Sequence, residues 1–249
     1  CSLLLIKVMS KKAIIIGSGI AGLASSVRLA AKGFEVEVFE ANSYPGGKLS
    51  EIQLGAYRFD AGPSLFTLPE QVEELFRLAG KDPKDHFEYQ KLDIACHYFW
   101  EDGKQIKAFA DINQFAEEVE TKLGEPASHV RKALKNSAFI YENLSPLFMH
   151  RSLHQFSTWT NAQALKSYLK MGQLGIFSTM NQANEALFEN PKMVQLFNRY
   201  ATYNGSDPYQ TPATLNIIPH LEFNRGAYFP KKGMHDITQS IYKLAKSMG

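Results

Sequence analysis

The sequence predicts a mixed α/β fold, and three features of its 249 residues support this prediction. An apolar segment at 13–16 runs directly into Gly17-x-Gly19-x-x-Gly22 and an amphipathic stretch. A second apolar segment at 34–39 ends at Glu40. This succession predicts a strand, a helix and a parallel strand. A third feature is an apolar helical stripe near the end of the chain, formed by Met234, Ile237, Ile241, Leu244 and Met248.

The glycine motif predicts a Rossmann-like, dinucleotide-binding unit because it follows a strand and opens a helix. Gly17 permits the tight turn, Gly19 lets the backbone approach a diphosphate, and Gly22 allows close packing of helix on strand. The diphosphate is expected at the helix N-terminus, where unpaired N–H groups favour anions. The candidate binding residues of this loop are Gly17, Ser18, Gly19, Ile20, Ala21 and Gly22.

Glu40, which is followed by Ala41, closes the second predicted strand about twenty positions after the glycines. Its carboxylate is expected to accept hydrogen bonds from a ribose diol, and its charge disfavours the additional phosphate of NADP. FAD and NAD both remain possible from this pattern alone.

A second glycine pair, Gly46-Gly47, precedes Lys48, and Gly62-Pro63-Ser64 follows a further strand-like stretch. These residues could hold phosphate or ribityl oxygens, or they could form ordinary turns. Asp60 is interpreted as a structural carboxylate.

Together these segments resemble the bacterial-type carotenoid (phytoene) desaturases of the flavin amine oxidase superfamily. The similarity continues through 199–205, 206–209, 212–215 and 226–230, and it extends over residues 9–249. Lys232 departs from the family pattern, which usually has a glycine there. Because this loop is expected close to the flavin, the added side chain could disturb its geometry.

The resemblance implies FAD, with its adenine end at Gly17–Gly22 and Glu40, its middle near Gly46, Gly47 and Lys48, and its isoalloxazine near Gly62, Pro63 and Ser64. It also suggests a substrate channel, although no catalytic acid or base can be named. The candidate channel residues are Leu65, Arg199, Tyr200 and Tyr203.

The predicted organisation is an FAD-binding domain, 9–84 and 226–249, interrupted by an α+β substrate or lid domain, 85–225. Within the inserted domain we expect short strands, followed by helices from Asp111 onward. The expected strands are 87–95, 97–100 and 105–109. The chain is about half the family's usual length, so the nucleotide-binding domain is expected to be truncated and to hold FAD poorly alone.

Composition excludes several classes of protein. With 45% hydrophobic and 21% charged residues the chain can bury a core, and a net charge of +2 gives no reason to expect nucleic-acid binding. Cys1 and Cys96 suggest no disulfide framework, which favours a reducing cytoplasm. His150 and His154 lack an acidic or thiolate partner nearby, so no metal is expected. Residues 1–8 are interpreted as leading sequence foreign to the protein.

Residues 143–184 contain no Asp or Glu but carry Arg151, Lys166, Lys170 and many aromatic side chains. Such a segment is typical either of a helical lid packed on its own core or of a peripheral membrane contact. No apolar run reaches about 18 residues, so a membrane span is not expected. A lipid-soluble substrate, as the resemblance implies, favours peripheral attachment.

The function that the resemblance implies is FAD-dependent desaturation of an apolar polyene, as in phytoene desaturases. A hydroxycarotenoid 3,4-desaturase of the same family is an alternative. A carotenoid isomerase or saturase would share these motifs. A non-catalytic prenyl-binding protein of the same fold is a further alternative, although the intact glycines and Glu40 argue against it.

Overall fold

The computed structural model describes residues 11–149 and 151–249. It contains ten α-helical and eight β-strand segments within these residues. In chain order they are β1 (Lys12–Ile16), α1 (Ile20–Ala31), β2 (Glu35–Phe39), β3 (Ser50–Leu54), β4 (Tyr57–Ala61), α2 (Glu70–Leu78), β5 (Tyr89–Lys91), β6 (Ile94–Phe99), β7 (Gln105–Phe109), α3 (Ile112–Leu123), α4 (Ala127–Phe148), α5 (Phe156–Trp159), α6 (Ala162–Leu169), α7 (Met180–Glu185), α8 (Pro191–Asn198), α9 (Ile218–His220), β8 (Tyr228–Pro230) and α10 (His235–Lys246).

The described chain divides into two compact units. Unit 1 comprises residues 11–91 and Tyr228–Gly249, and unit 2 comprises Leu92–Ala227. The limits 84/85 and 225/226 expected from the sequence lie close to these divisions. The roles assigned to the two domains remain predictions.

In unit 1, β1 and β2 form a parallel pair in which Ile14 lies opposite Glu37. Helix α1 covers one face of the pair and buries Leu23 and Val27, each of which contributes roughly 2 kcal/mol. The other face is bare: Ile14, Ile16 and Phe39 are 68%, 90% and 56% exposed.

The rest of unit 1 consists of the hairpin β3–β4, the antiparallel pair β5–β8, and helices α2 and α10. Helix α10 packs against α1 and α2 through the apolar stripe expected from the sequence. The buried core of this unit contains Leu23, Val27, Leu49, Phe66, Val72, Leu75, Phe76, Phe87, Met234, Ile237, Ile241 and Leu244.

Unit 2 begins with the hairpin β6–β7, whose turn is closed by Gly103 at φ +80°. The Asp111 side chain caps α3 by accepting a hydrogen bond from the Gln114 N–H at 2.9 Å. The long helix α4 packs against α3 and carries Pro146 in its last turns. The buried core of unit 2 includes Ile106, Phe115, Val119, Val130, Leu134, Met180, Met193, Leu196, Phe197, Tyr200 and Phe223.

The α/β fold class is confirmed, but the single strand expected at 87–95 is wrong. Residues 89–91 pair with β8, whereas 94–99 pair with β7, so two short strands replace one. The strand expected at 97–100 is the end of β6. Within the described residues, no helix is both long and apolar enough to cross a bilayer.

Candidate functional site

The first glycine loop of unit 1 is built from backbone contacts that exclude side chains. Gly17 has φ +97°, and its N–H donates to the Phe39 carbonyl at 2.7 Å. A Cβ atom on Gly22 would overlap the Gly17 carbonyl oxygen. Helix α1 begins after Gly19 with no side-chain cap and no acidic residue in its first turn. The N-terminal amides of α1 are therefore suited to an anionic ligand.

Glu40 follows β2 and is held by four hydrogen bonds. Oε2 accepts from the Ser18 N–H at 2.7 Å and from the Ser18 hydroxyl at 2.9 Å. Oε1 accepts from the Asn42 N–H at 2.9 Å and from the Asn42 side-chain amide at 3.0 Å. The Asn42 N–H and then the Ser18 N–H are the main causes that lower the pKa of Glu40 to about 2. The carboxylate is therefore anionic at neutral pH.

The second glycine pair lies against the first loop. The Gly46 N–H donates to the Ser18 carbonyl at 2.8 Å, and Gly46 forms a parallel β-bridge with Gly19. Gly46 has φ +113°, and a Cβ atom there would overlap the Leu49 carbonyl and crowd Thr238. Side chains at this position are thus excluded as strictly as at Gly22.

Gly62 brings a third loop to the same place. It has φ +95°, and an added Cβ atom would overlap the Lys48 carbonyl. Pro63 and Ser64 beside it are exposed, as is the Lys48 side chain. The structure therefore brings together the first glycine loop, Glu40 with Ala41, residues 46–48 and residues 62–64.

Helix α10 supports these loops through its first turns. The Leu49 carbonyl accepts hydrogen bonds from the Thr238 hydroxyl at 2.9 Å and from His235 Nδ1 at 3.1 Å. The Nδ1 contact with a carbonyl requires the proton to be on Nδ1. Both side chains are buried, so the loop that contains the second glycine pair is fixed by a packed helix.

Asp60 connects β4 to the N-terminus of α10. Its carboxylate accepts from the Met234 and His235 N–H groups at 2.8 and 3.0 Å and from Arg58 at 2.7 Å. Burial acts to raise the pKa of Asp60, but these hydrogen bonds and the Arg58 charge prevail and lower it. These contacts agree with a structural carboxylate.

The departure at Lys232 is accommodated locally. Lys232 is exposed, while the neighbouring Gly233 has φ +92° and lies against the Asp60 carboxylate. The positive-φ position is thus filled by a glycine, and the lysine side chain lies outside that contact.

A cavity of about 500 Å³ in unit 1 adjoins Glu40. Its lining combines polar groups near Asn42 with apolar side chains of α1, β2 and α10, including Leu23, Val38 and Tyr242. A cavity that joins polar groups to an apolar wall suits a heteroaromatic ring attached to a sugar.

These contacts fit a dinucleotide cofactor. The N-terminus of α1 is uncapped, Glu40 is anionic, and the glycines form a cradle that a Cβ atom at either Gly22 or Gly46 would fill. The helix N-terminus suits the diphosphate, and Glu40 suits the ribose diol. The glycines allow the backbone to approach the cofactor closely.

Unit 2 contains a separate group of polar side chains around the buried Glu222 and Tyr200. We call it the Glu222 cluster: Tyr98, Arg199, Tyr200, Tyr203 and Glu222. Glu222 lies on a π-helical turn, Leu221–Arg225, with its side chain 3% exposed. Its carboxylate accepts hydrogen bonds from the Tyr200 hydroxyl at 2.9 Å and from the Tyr203 hydroxyl. Arg199 Nη2 lies 3.4 Å from it.

Opposing effects act on the Glu222 carboxyl. Burial raises its pKa, and the Arg199 charge and the Tyr200 hydroxyl oppose that rise without cancelling it. The Arg199 guanidinium also lies over the rings of Tyr200 and Tyr98, at 4.5 and 5.5 Å from their centroids. Within the described part of the chain, Arg199 Nε and the Tyr98 hydroxyl have no hydrogen-bond partner.

Comparison with known protein families identifies the family of this chain. The family described as flavin containing amine oxidoreductase matches residues 20–248. The chain belongs to this family. The predicted superfamily is thereby confirmed, and FAD is the cofactor that it supports.

The relatives of this chain include carotenoid enzymes. It is 52% identical to a 1-hydroxycarotenoid 3,4-desaturase of a Flavobacterium species, over 96% of this chain and 49% of the relative. It is 29% identical to a carotenoid 3,4-desaturase of Haloarcula japonica, over 94% of this chain and 47% of the relative. The chain thus spans about half the length of these relatives.

Among solved structures, cyclohexylamine oxidase from Brevibacterium oxydans matches with a TM-score of 0.54 and 18% identity. The match covers 96% of this chain and 49% of that one. At this identity the likeness shows the fold alone, which agrees with the Rossmann-like organisation expected from the sequence.

The candidate channel residues lie in different units of the chain. Leu65 is half-buried in unit 1, whereas Arg199, Tyr200 and Tyr203 belong to the Glu222 cluster. Their assignment to a channel remains a prediction.

Within residues 11–149 and 151–249, no three His, Cys, Asp or Glu side chains form a possible metal site. The expectations for residues 1–8 and His150 lie outside the described residues.

Sequence reasoning missed Asn42, Thr238, His235 and Glu222. Asn42 had a usable signal, because an Asn side chain in a loop commonly forms hydrogen bonds with nearby backbone groups. The other three acquire their roles from tertiary contacts over 19 to 189 positions, for which the local sequence gives no sign.

Proposed function

We propose that the chain supplies the FAD-binding half of a carotenoid desaturase. The observation that carries this proposal is the 52% identity, across 96% of the chain, to a 1-hydroxycarotenoid 3,4-desaturase. The glycine cradle and the anionic Glu40 support it independently, because both match parts of FAD.

Each loop of unit 1 has a proposed part in holding FAD. The amides at 19–21 bind the diphosphate, and Glu40 beside Ala41 binds the adenosine ribose. Residues 46–48 contact the middle of the molecule, where Lys48 adds a positive charge, and residues 62–64 lie beside the isoalloxazine. FAD, when bound, supplies the hydride acceptor.

The proposed reaction removes a hydride and a proton from adjacent allylic carbons and forms one new carbon–carbon double bond. The preferred substrate class is a hydroxylated carotenoid desaturated at the 3,4 position, because the relative with 52% identity carries that name. Leu65, Arg199, Tyr200 and Tyr203 are proposed to line the path of the substrate.

We also propose peripheral attachment to the cytoplasmic membrane surface through segment 143–184, which has no acidic residue. Phe156, Leu169 and Phe177 are 81%, 82% and 80% exposed there. The same segment carries cations without any acidic residue. Exposed aromatic and aliphatic side chains beside cations fit an interface of anionic lipids.

The function is tested by expressing the chain, alone and joined to the carboxyl-terminal half of the Flavobacterium relative, in bacteria that accumulate either 1-hydroxylated carotenoids or phytoene. We expect the joined protein to contain flavin and to give pigments with longer-wavelength absorption, most strongly from hydroxylated carotenoids. A matched Glu40→Lys variant should lose the flavin and the new pigments together.

Product analysis separates the alternatives. Pigments with the same number of double bonds but altered double-bond geometry would favour an isomerase. Pigments with fewer double bonds, which are reduced relative to the substrate, would favour a saturase. A colourless joined protein that binds isoprenoids would favour a prenyl-binding protein and refute the desaturase.

The membrane proposal is tested by co-sedimentation with vesicles of phosphatidylcholine alone or with 30% phosphatidylglycerol. We expect binding to the anionic vesicles and a loss of at least tenfold in the triple variant Phe156→Ser, Leu169→Ser, Phe177→Ser. The control is the exposed pair Tyr57→Ser, Tyr209→Ser, which lies outside the segment. Equal loss in the control, or no preference for anionic vesicles, would contradict the proposal.

A further inference from the structure

The Glu40 carboxylate is fully occupied by donors from the chain itself. Oε2 accepts two hydrogen bonds from Ser18, and Oε1 accepts two from Asn42, all between 2.7 and 3.0 Å. A carboxylate offers about four lone-pair sites. A sugar hydroxyl therefore has no free position on Glu40 and must replace one of these four donors.

The four donors differ in their freedom to leave. The N–H groups of Ser18 and Asn42 are fixed by the backbone. The Ser18 N–H lies in the first glycine loop, which two further hydrogen bonds hold in place. The Ser18 carbonyl accepts from the Gly46 N–H, and the Gly19 carbonyl accepts from the Leu23 N–H. The Ser18 hydroxyl and the Asn42 amide are instead on side chains that rotate about single bonds.

Asn42 can release its donor at little cost. Its side chain is exposed, so the amide can turn to water when a ligand displaces it. Ser18 is 5% exposed, and a rotation about χ1 would move its hydroxyl oxygen away from Glu40.

We propose that the Ser18 hydroxyl and the Asn42 side-chain amide are exchangeable donors that occupy the positions on Glu40 later taken by the two hydroxyls of the adenosine ribose. This inference rests on the proposed FAD site. Binding of the ribose is then an exchange in which Glu40 keeps four hydrogen bonds before and after. The two backbone N–H groups hold the carboxylate throughout, and the side chains fill whichever position lacks a sugar hydroxyl.

Exchange of donors and simple positioning of Glu40 predict opposite effects of an Asn42 substitution on the discrimination between FAD and analogues that lack a ribose hydroxyl. When a ribose hydroxyl is absent from the ligand, the wild-type chain restores its own hydrogen bond, so the loss of affinity is small. In the Asn42→Ala variant no side-chain amide restores that hydrogen bond, so the missing ribose hydroxyl lowers the affinity further. If Asn42 only orients Glu40, its removal instead weakens recognition of the ribose and reduces the difference between ligands.

The test measures dissociation constants, by flavin fluorescence quenching, for FAD and for its two analogues that lack the 2′- or the 3′-hydroxyl of the adenosine ribose. The proteins are the chain joined to the carboxyl-terminal half of the Flavobacterium relative, its variants Asn42→Ala and Ser18→Ala, and Ser25→Ala as an exposed control in unit 1. Circular dichroism confirms that each variant is folded.

We expect the wild type and Ser25→Ala to discriminate less than about threefold between FAD and either analogue. Asn42→Ala should raise the discrimination against one analogue to about tenfold or more, and Ser18→Ala should do so against the other. Unchanged or reduced discrimination in both variants overturns the inference while leaving the FAD site in place. Failure of the joined wild-type protein to bind FAD at all overturns the proposed site and this inference with it.

Discussion

The two units organise their polar groups in different ways. In unit 1 the candidate cofactor site is made mainly of backbone, with glycines at positions where a Cβ atom would strike a carbonyl oxygen. In unit 2 the Glu222 cluster is made of side chains, gathered from β6, a 3₁₀ segment and a π-helical turn. A backbone site depends on local geometry, whereas a side-chain cluster depends on the packing of the whole unit. The two should therefore respond to substitution differently.

The largest effect is expected from Glu222→Ala. It removes the only carboxylate bonded to Tyr200 and Tyr203 within the described residues, and it leaves the partly buried Arg199 without its counter-charge. Loss of one partner of a buried pair typically costs about 3 kcal/mol or more. Urea unfolding followed by far-UV circular dichroism measures this cost.

Tyr203→Phe is the control for that variant, because it removes one hydrogen bond and should cost roughly 1 kcal/mol. A similar loss in both variants would mean that the charge pair contributes nothing beyond one hydrogen bond. The distinction between the two units would then be weaker.

Gly22→Ala is expected to act next most strongly and to act on unit 1. The new Cβ atom would overlap the Gly17 carbonyl, so helix and loop must move apart at a cost of about 2–3 kcal/mol. Flavin content of the purified protein should fall at least tenfold. Gly172→Ala is the matched control, since no atom lies within 4 Å of its added Cβ atom; a comparable loss of flavin there would contradict the steric explanation.

Asp60→Asn tests whether α10 supports the glycine loops. The amide keeps one acceptor oxygen but loses the charge that two N–H groups and Arg58 share, so we expect a loss of about 1–2 kcal/mol. The thermal midpoint of unit 1 should fall, and flavin should dissociate faster. An unchanged thermal midpoint would exclude Asp60 as a structural link between β4 and α10.

The smallest effect concerns pH. Because the pKa of Glu40 falls from 4.5 to about 2 on folding, its contribution to stability is complete above about pH 4.5 and is lost as the pH falls toward 2. Between pH 5 and 8, Glu40 should add no pH dependence to FAD binding. The free energies of unfolding of the wild type and Glu40→Gln should differ by a constant amount between pH 5 and 8 and converge below about pH 4.5. A difference that changes between pH 5 and 8 would contradict the hydrogen bonds described.

The sequence predicted the backbone site better than the side-chain cluster, for a physical reason. Glycine spacing, the strand before it and Glu40 after β2 are local features, and each restricts the chain within a few residues. Glu222 meets Tyr203 across 19 positions through a π-helical turn that has no recognised sequence pattern. Arg199 and Tyr200 were identified only through family resemblance, and their mutual contacts required the fold.

Strand pairing shows the same limit. The alternation of residues at 87–95 is compatible with one strand, and only the choice of partners divides it between β5 and β6. Asp60 could be interpreted as structural from the sequence, but its attachment to α10 crosses 174 positions. Contacts at that distance follow from topology, which a motif does not encode.

The bare face of β1 and β2 has a practical consequence for handling the protein. Ile14, Ile16 and Phe39 present adjacent hydrocarbon to water, so molecules of the isolated chain gain free energy by pressing these strands together. Turbidity and light scattering should therefore rise with protein concentration and with added sulfate, and a mild detergent should reverse the rise. Replacing Ile16 with threonine would offer crystallographers a better-behaved sample without touching the glycine cradle.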